Sequence, residues 1–209
     1  MPLLYKQEGP HKAQMAVWQI TESESELISR LTFCDAMDLQ LKPITNPAKR
    51  LEWLASRLLI QELLQCPPAL SYSLNGKPYL NGSDVHLSLS HTSGFAAVVV
   101  SPQKPTGIDI EYPSPRIAKL SSRFVNAAEE AQFELCGRER GCALVWCAKE
   151  TLYKILDRPG VLFKEDMEIG GLSSSPSGTL ASTVTFQDQR LSLVLQYRTT
   201  PDYYLVWYW

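Results

Sequence analysis

Apolar positions recur through Met15-Ala16-Val17-Trp18-Gln19-Ile20 in a way that predicts an early strand, and helical spacing then runs from Glu22 to Phe33, opened by Thr21. A longer helix begins after Asn46-Pro47, a cap followed by proline at the first helical position. It continues to about Gln65, where Pro67-Pro68 forbid further turns. Short strands follow. Asn75-Gly76 and Asn81-Gly82 mark turns, Val85 to Ser90 alternates apolar and polar residues with period two, and Thr92-Ser93-Gly94 turns the chain into Phe95 to Ser101.

The prolines at 102 and 105, with polar residues between them, divide the chain near residue 105 into lobes 1–105 and 106–209. The second half restarts with a strand at Gly107 to Glu111. Helical segments are then predicted around Ser121 to Leu135 and Cys142 to Leu156, and Ser173 to Gly178 reads as a mobile surface loop. Strands close the chain at Val184 to Phe186, Leu191 to Tyr197 and Tyr203 to Trp209. Each half mixes helices with mostly antiparallel strands, so the fold class is α+β with two similar lobes.

Composition adds limits. With 44% hydrophobic and 20% charged residues in 209, the chain has the balance of a globular protein. A net charge of -2 gives no overall attraction to nucleic acid or membrane, so any anion site must be a local basic cluster. The longest apolar run, Phe95 to Val100, is far too short to span a bilayer, and the first residues lack the apolar core of a signal peptide. Five scattered cysteines, among them Cys34, read as free thiols of a cytoplasmic protein.

Four clusters carry candidate chemistry. In Gly107-Ile108-Asp109-Ile110-Glu111 the two acids share one face of a strand, a hard-oxygen pair suited to magnesium; the plain alternative is an acidic solvated strand. In Trp146 to Lys154 an aromatic, an acid and a base recur at four-residue spacing through Glu150, with Lys149 beside it; the alternative is an exposed Glu150 to Lys154 ion pair. Leu87 to Gly94 brings Ser90 and His91 to a strand end and a glycine turn, a plausible anion cradle. A serine hydrolase is disfavoured, because neighbours on an extended segment point to opposite faces and no Gly-x-Ser-x-Gly elbow exists. Last, Arg50 and Arg57 lie two helical turns apart and could converge with Lys77 on a phosphate, against the alternative of solvated surface charge.

Taken in order, these clusters resemble the 4'-phosphopantetheinyl transferase superfamily, and within it the two-lobed monomeric type typified by the enzyme that activates surfactin synthetase. Ser88-Leu89-Ser90-His91 with Gly94 is similar to the family's serine-histidine motif. Gly107 to Glu111 is similar to its Gly-x-Asp-x-Glu element, Trp146 to Lys154 to its Trp-x-x-Lys-Glu-x-x-x-Lys helix, and Phe124 and Glu129 to the Phe-x-x-x-x-Glu element between them. The resemblance covers about residues 47 to 165. It departs after the final lysine, where Asp157-Arg158-Pro159 precede a single Gly160 instead of a glycine-rich stretch.

The resemblance implies a pseudo-twofold fold and transfer of 4'-phosphopantetheine from coenzyme A to a serine of an apo acyl or peptidyl carrier protein. It implies Asp109, Glu111 and Glu150 as ligands of Mg2+, Glu150, Lys154 and His91 as catalytic groups, and Arg50, Arg57, Lys77, Ser90, His91, Lys149 and Lys154 around coenzyme A. The expected partners are the carrier protein and coenzyme A, with no nucleic acid or membrane, and the protein itself is expected to be a monomer. Arg116, Lys119, Arg123, Arg138 and Arg140 form the expected region of carrier docking. Two other readings of the same residues are a non-catalytic coenzyme A-binding module and a metal-dependent phosphodiester hydrolase.

Overall fold

The computed structural model describes residues 3–32 and 35–209. Phe33, where the first helix was expected to end, and Cys34 lie outside the described residues. The chain divides into two compact units, one of residues 1–106 with Trp209 and one from Gly107 to Tyr208.

In the first unit β1 (Leu3–Glu8) pairs antiparallel with β2 (Gln14–Gln19). Helix α1 (Glu24–Arg30) starts at Ser23, not Thr21: the Ser23 hydroxyl accepts from Glu26 N while the Glu26 carboxylate accepts from Ser23 N, a reciprocal cap that Thr21 cannot form. Two more helices follow, α2 (Asp35–Leu41) and α3 (Pro47–Leu64). The latter is capped by Asn46 and ends on a left-handed Gln65, as its sequence signals required. A small hairpin of β3 (Leu70–Tyr72) and β4 (Pro78–Leu80) leads to β5 (His86–Thr92) and β6 (Phe95–Ser101). Gly94, at φ +82°, supplies the left-handed residue of the tight turn between those last two strands. The sheet order β1-β2-β6-β5 is antiparallel throughout, and α3 packs on it over a core that includes Trp18, Leu54, Leu58, Leu87 and Val98.

The second unit begins with β7 (Gly107–Glu111), followed by α4 (Pro115–Lys119). A single helix does not form between Ser121 and Leu135. That stretch is a 3-10 turn, a four-residue helix α5 (Ala127–Glu130) that restarts at the Asn126 cap, and a second 3-10 segment. Helix α6 (Arg138–Leu156) is the long element of this unit. Strands β8 (Met167–Gly170), β9 (Ser177–Phe186), β10 (Gln189–Thr199) and β11 (Tyr204–Tyr208) complete an antiparallel sheet ordered β7-β11-β10-β9-β8.

The serine-rich segment expected to be a mobile loop is tied down. Arg140 donates to the carbonyls of Ser173 and Ser175, and the Tyr197 hydroxyl lies 2.9 Å from Ser173 Oγ. Ser177 already belongs to β9. Among the described residues no helix is long and apolar enough to cross a membrane.

Helix α6 lies directly against the start of β7, and Gly107 explains how. A Cβ built there would stand 2.5 Å from the Thr151 carbonyl oxygen, so only glycine admits this approach of strand and helix backbones. Gly107→Ala is expected to cost about 1–3 kcal/mol by forcing the two apart. Denaturant unfolding would measure it, and an unchanged midpoint would show that the close approach is unimportant.

Candidate active site

The two acids of β7 face α6, so the solvated acidic strand considered above is not what forms. Asp109 is 4% exposed, and its Oδ1 accepts from Lys154 Nζ at 2.8 Å, while the same ammonium donates to Ile108 O at 2.9 Å. Glu111 Oε1 accepts from Trp146 Nε1 at 3.0 Å. The four-residue spacing of Trp146, Glu150 and Lys154 therefore places one helix stripe along one strand face. Lys154 pairs with Asp109, not with Glu150 as a surface ion pair would require.

Trp146 is held by an edge-on contact with Phe124, ring centroids 5.1 Å apart, and a tilted contact with Phe163 at 5.6 Å. With Glu111, Arg116, Ile117 and Leu120, Trp146 and Phe124 line a cavity of about 260 Å3. Cys147, inside the helix packing, stays a thiol. Burial pushes its pKa well up, and the adjacent carboxylate of Asp109 adds to that, so it supplies no nucleophile.

Glu150 is the electrostatic anomaly. Burial and then Asp109 push its carboxyl up to about 7, Glu111 adding to this, while Lys154 opposes them. One ammonium thus stands against three carboxylates.

Among the described residues no group of three or more His, Cys, Asp or Glu side chains is arranged to hold a metal ion. The donor chemistry nonetheless fits magnesium. Asp109, Glu111 and Glu150 offer hard oxygens on adjoining elements, and Glu150 is raised first by burial and then by the neighbouring carboxylate of Asp109. The linkage has a definite sign. Between about pH 4.5 and 7 the folded protein keeps a proton on Glu150 that the unfolded chain has lost, so stability falls as pH rises through that window. A divalent cation competes with that proton. Thermal stabilisation by millimolar magnesium should consequently be larger at pH 8 than at pH 6, with the difference lost in Glu150→Gln. Equal shifts at both pH values would remove Glu150 from the ligand set.

Lys149 was expected to work on phosphate, and the structure assigns it elsewhere. It is fully buried, and its ammonium donates to Phe124 O, Phe163 O and Glu129 Oε2 at 2.7, 2.7 and 2.9 Å. Burial pushes Lys149 down and Glu129 up, each drawn back by its partner. Glu129 also accepts from Asn126 N and Ile169 N, so the pair ties α6 to α5 and β8.

In the first unit, β5 turns Leu87 and Leu89 onto the core under α3, and His91 continues that row. His91 Nδ1 lies 2.9 Å from Glu52 Oε2, which also accepts from Lys49 Nζ at 2.7 Å. Ser90 is buried on the alternate face of the strand.

Arg50 and Arg57 share a helix face but meet different partners. Arg50 is already matched to Glu24, at 2.5 and 2.9 Å, and to the carbonyls of Leu41 and Ile44, which makes it a structural clamp. Arg57 is 2% exposed, stacks 4.0 Å above the Trp53 ring and bonds Tyr72 Oη and Ser56 Oγ. Burial pushes its pKa down, with Tyr72 opposing, and among the described residues no carboxylate pairs with it. Lys77 sits in the turn of the β3–β4 hairpin, beside Pro78, which pairs with Tyr72. Sequence reasoning missed Glu52, Trp53 and Tyr72. Only the three-residue interval from Lys49 to Glu52 was visible in the chain.

Of the five cations considered for docking, Arg138 is paired with Glu130 and Arg140 holds the 173–175 segment, which leaves Arg116, Lys119 and Arg123.

Two units, each with an antiparallel sheet, carry these motifs, and comparison with known proteins shows what the chain is similar to. The model of the 4'-phosphopantetheinyl transferase superfamily matches residues 105–205. The chain is similar to the 4'-phosphopantetheinyl transferase AcpT of Salmonella typhi, 29% identical over 133 residues, covering 61% of this chain and 69% of that protein. AcpT of Escherichia coli O157:H7 is 27% identical over 112 residues, covering 51% and 57%.

Proposed function

We propose that the protein transfers the 4'-phosphopantetheine group of coenzyme A to a serine of an apo acyl or peptidyl carrier protein, yielding holo carrier and adenosine 3',5'-bisphosphate. The observation that carries this reading is the convergence of Asp109 and Glu111 on β7 with Trp146, Glu150 and Lys154 on α6 in a cluster richer in carboxylates than in cations.

Asp109, Glu111 and Glu150 would hold Mg2+, which when bound neutralises charge on the pyrophosphate and its leaving group. The residues do the rest. Lys154 places a fixed ammonium beside Asp109, where phosphate charge accumulates in the transition state. Glu150 would accept the proton of the attacking serine hydroxyl, directly or through water. The serine oxygen bonds to the β-phosphorus as its bond to the bridging oxygen breaks, and the leaving phosphate departs with the nucleotide. Buried Arg57, with Lys77 and His91, would supply the local positive groups for the 3'-phosphate of the adenosine portion, Ser90 lying on the other face of the strand. The separation into two units supports the comparison with the two-lobed monomeric type, and a cytoplasmic location accords with free thiols at Cys66, Cys136, Cys142 and Cys147.

Intact-mass spectrometry of an apo carrier incubated with the protein, coenzyme A and magnesium tests the reading. Gain of one phosphopantetheinyl group on the carrier serine supports it. Release of free phosphopantetheine without a carrier would instead support a hydrolase, and binding without either product a coenzyme A-binding module.

A further inference from the structure

We infer that Glu52 is a positioning residue whose carboxylate, at the Nδ1 edge of the His91 ring, keeps the imidazole cationic for an anionic ligand. The inference rests on the assignment of His91 to a coenzyme A phosphate made above.

Glu52 is a carboxylate on the buried face of a helix, 5% exposed, in a row with Ser56 and Leu59 that packs on the sheet. Acids are seldom buried unless paired. Its Oε2 has two cationic or potentially cationic partners, Lys49 Nζ at 2.7 Å and His91 Nδ1 at 2.9 Å. Lys49, at 56% side-chain exposure, would find water without Glu52; the third of the His91 side chain that is exposed leaves its Nδ1 edge turned to the helix. A carboxylate oxygen 2.9 Å from Nδ1 favours the doubly protonated ring electrostatically. The doubly protonated ring donates from both nitrogens, and donation is what a phosphate oxygen needs.

Other charges do not account for this. Of the elements packed against β5, α3 supplies Glu52 and Lys49 at the ring, and further along it the buried Arg57, a cation that opposes protonation of the histidine as Lys49 does. Strand β6 carries no titratable side chain, and β4 carries only Tyr79. Lys49 would lower the histidine pKa, so Glu52 must outweigh it for the ring to stay charged.

The sign of the mutational effect separates this role from simple electrostatics. Removing a negative charge near an anion site should by itself tighten anion binding. If Glu52 acts through His91, Glu52→Gln should instead weaken it. Ring-proton NMR titration of the unaltered protein should place the His91 pKa above the ordinary value of about 6.5. In Glu52→Gln it should fall by about one unit, and the coenzyme A dissociation constant should rise about five- to tenfold at pH 7.5. In a His91→Ala background the same Glu52→Gln change should leave coenzyme A binding unaltered.

A His91 pKa at or below the ordinary value in the unaltered protein, or an equal Glu52→Gln effect in the His91→Ala background, would overturn the inference. If His91→Ala alone leaves coenzyme A binding intact while the NMR shift is present, the phosphate assignment of His91 fails and the positioning role falls with it. The titration needs no variant, so it decides the first point even if Glu52→Gln folds poorly.

Discussion

Carrier modification should fall at least about a hundredfold in Asp109→Asn, read as the mass gained by an apo carrier serine per unit time. Asp109 is the most buried acid of β7, and it both accepts from Lys154 and raises Glu150. Asparagine keeps its volume but removes one oxygen anion, so two consequences follow at once. The proposed magnesium site loses a charged donor, and Lys154 loses the carboxylate that fixes its position. Because the loss is electrostatic, coenzyme A binding measured without metal should change little while turnover collapses. Turnover within a few-fold of the unaltered protein, at saturating magnesium, would remove Asp109 from the reacting centre. The choice of asparagine over alanine avoids opening a cavity beside the Cys147 thiol.

The largest expected effect on stability lies one residue from the proposed base. Lys149→Met leaves Glu129 as a buried carboxylate without its cation, and should destabilise the protein by about 3–5 kcal/mol. In a chain of this size that lowers Tm by on the order of 10 °C. Adding Glu129→Gln to Lys149→Met should recover part of the loss. Glutamine stays neutral in the buried setting and its one amide oxygen can still accept from Asn126 N or from Ile169 N, which bond different oxygens of Glu129, so the recovery is only partial. Calorimetry of the two variants decides the matter: a Lys149→Met protein as stable as the original, or a double variant worse than the single, would contradict the structural role assigned to this pair. Phosphate contact by Lys149, as the resemblance implied, would predict lost activity at unchanged Tm.

The neighbouring lysines of α6 show what spacing can and cannot convey. Lys149 and Lys154 read alike in the chain, two cations flanking an acid within a motif. On the helix they are separated by five residues, about 140° around the axis, so one turns inward toward Phe124 and Phe163 and the other toward Asp109. Nothing in the local sequence states that the inward one meets a glutamate twenty residues earlier. The same holds for the arginines of α3. Seven-residue spacing gave Arg50 and Arg57 a common face, but Glu24 claims the first and the Trp53 ring and Tyr72 the second.

Local physics was legible from the chain alone. Proline and asparagine at the start of α3, Pro67-Pro68 after it, the Ser93-Gly94 turn and the acid pair of β7 act over a few residues, so their elements appear where expected. The motifs at Gly107 to Glu111 and Trp146 to Lys154 were likewise readable as chemistry, because strand and helix periods alone decide which of their side chains share a face.

Tertiary structure decided what those periods leave open. Strands β1 and β8 exist because β2 and β9 offer partners to pair with, and the 121–135 stretch breaks into short turns because Asn126 and Glu129 cap a new start within it. Which charge meets which is also settled only there. Pairing energies depend on distance and burial between residues far apart in sequence, as between Glu52 and His91 or Glu129 and Lys149, and a sequence specifies neither quantity until the chain has folded.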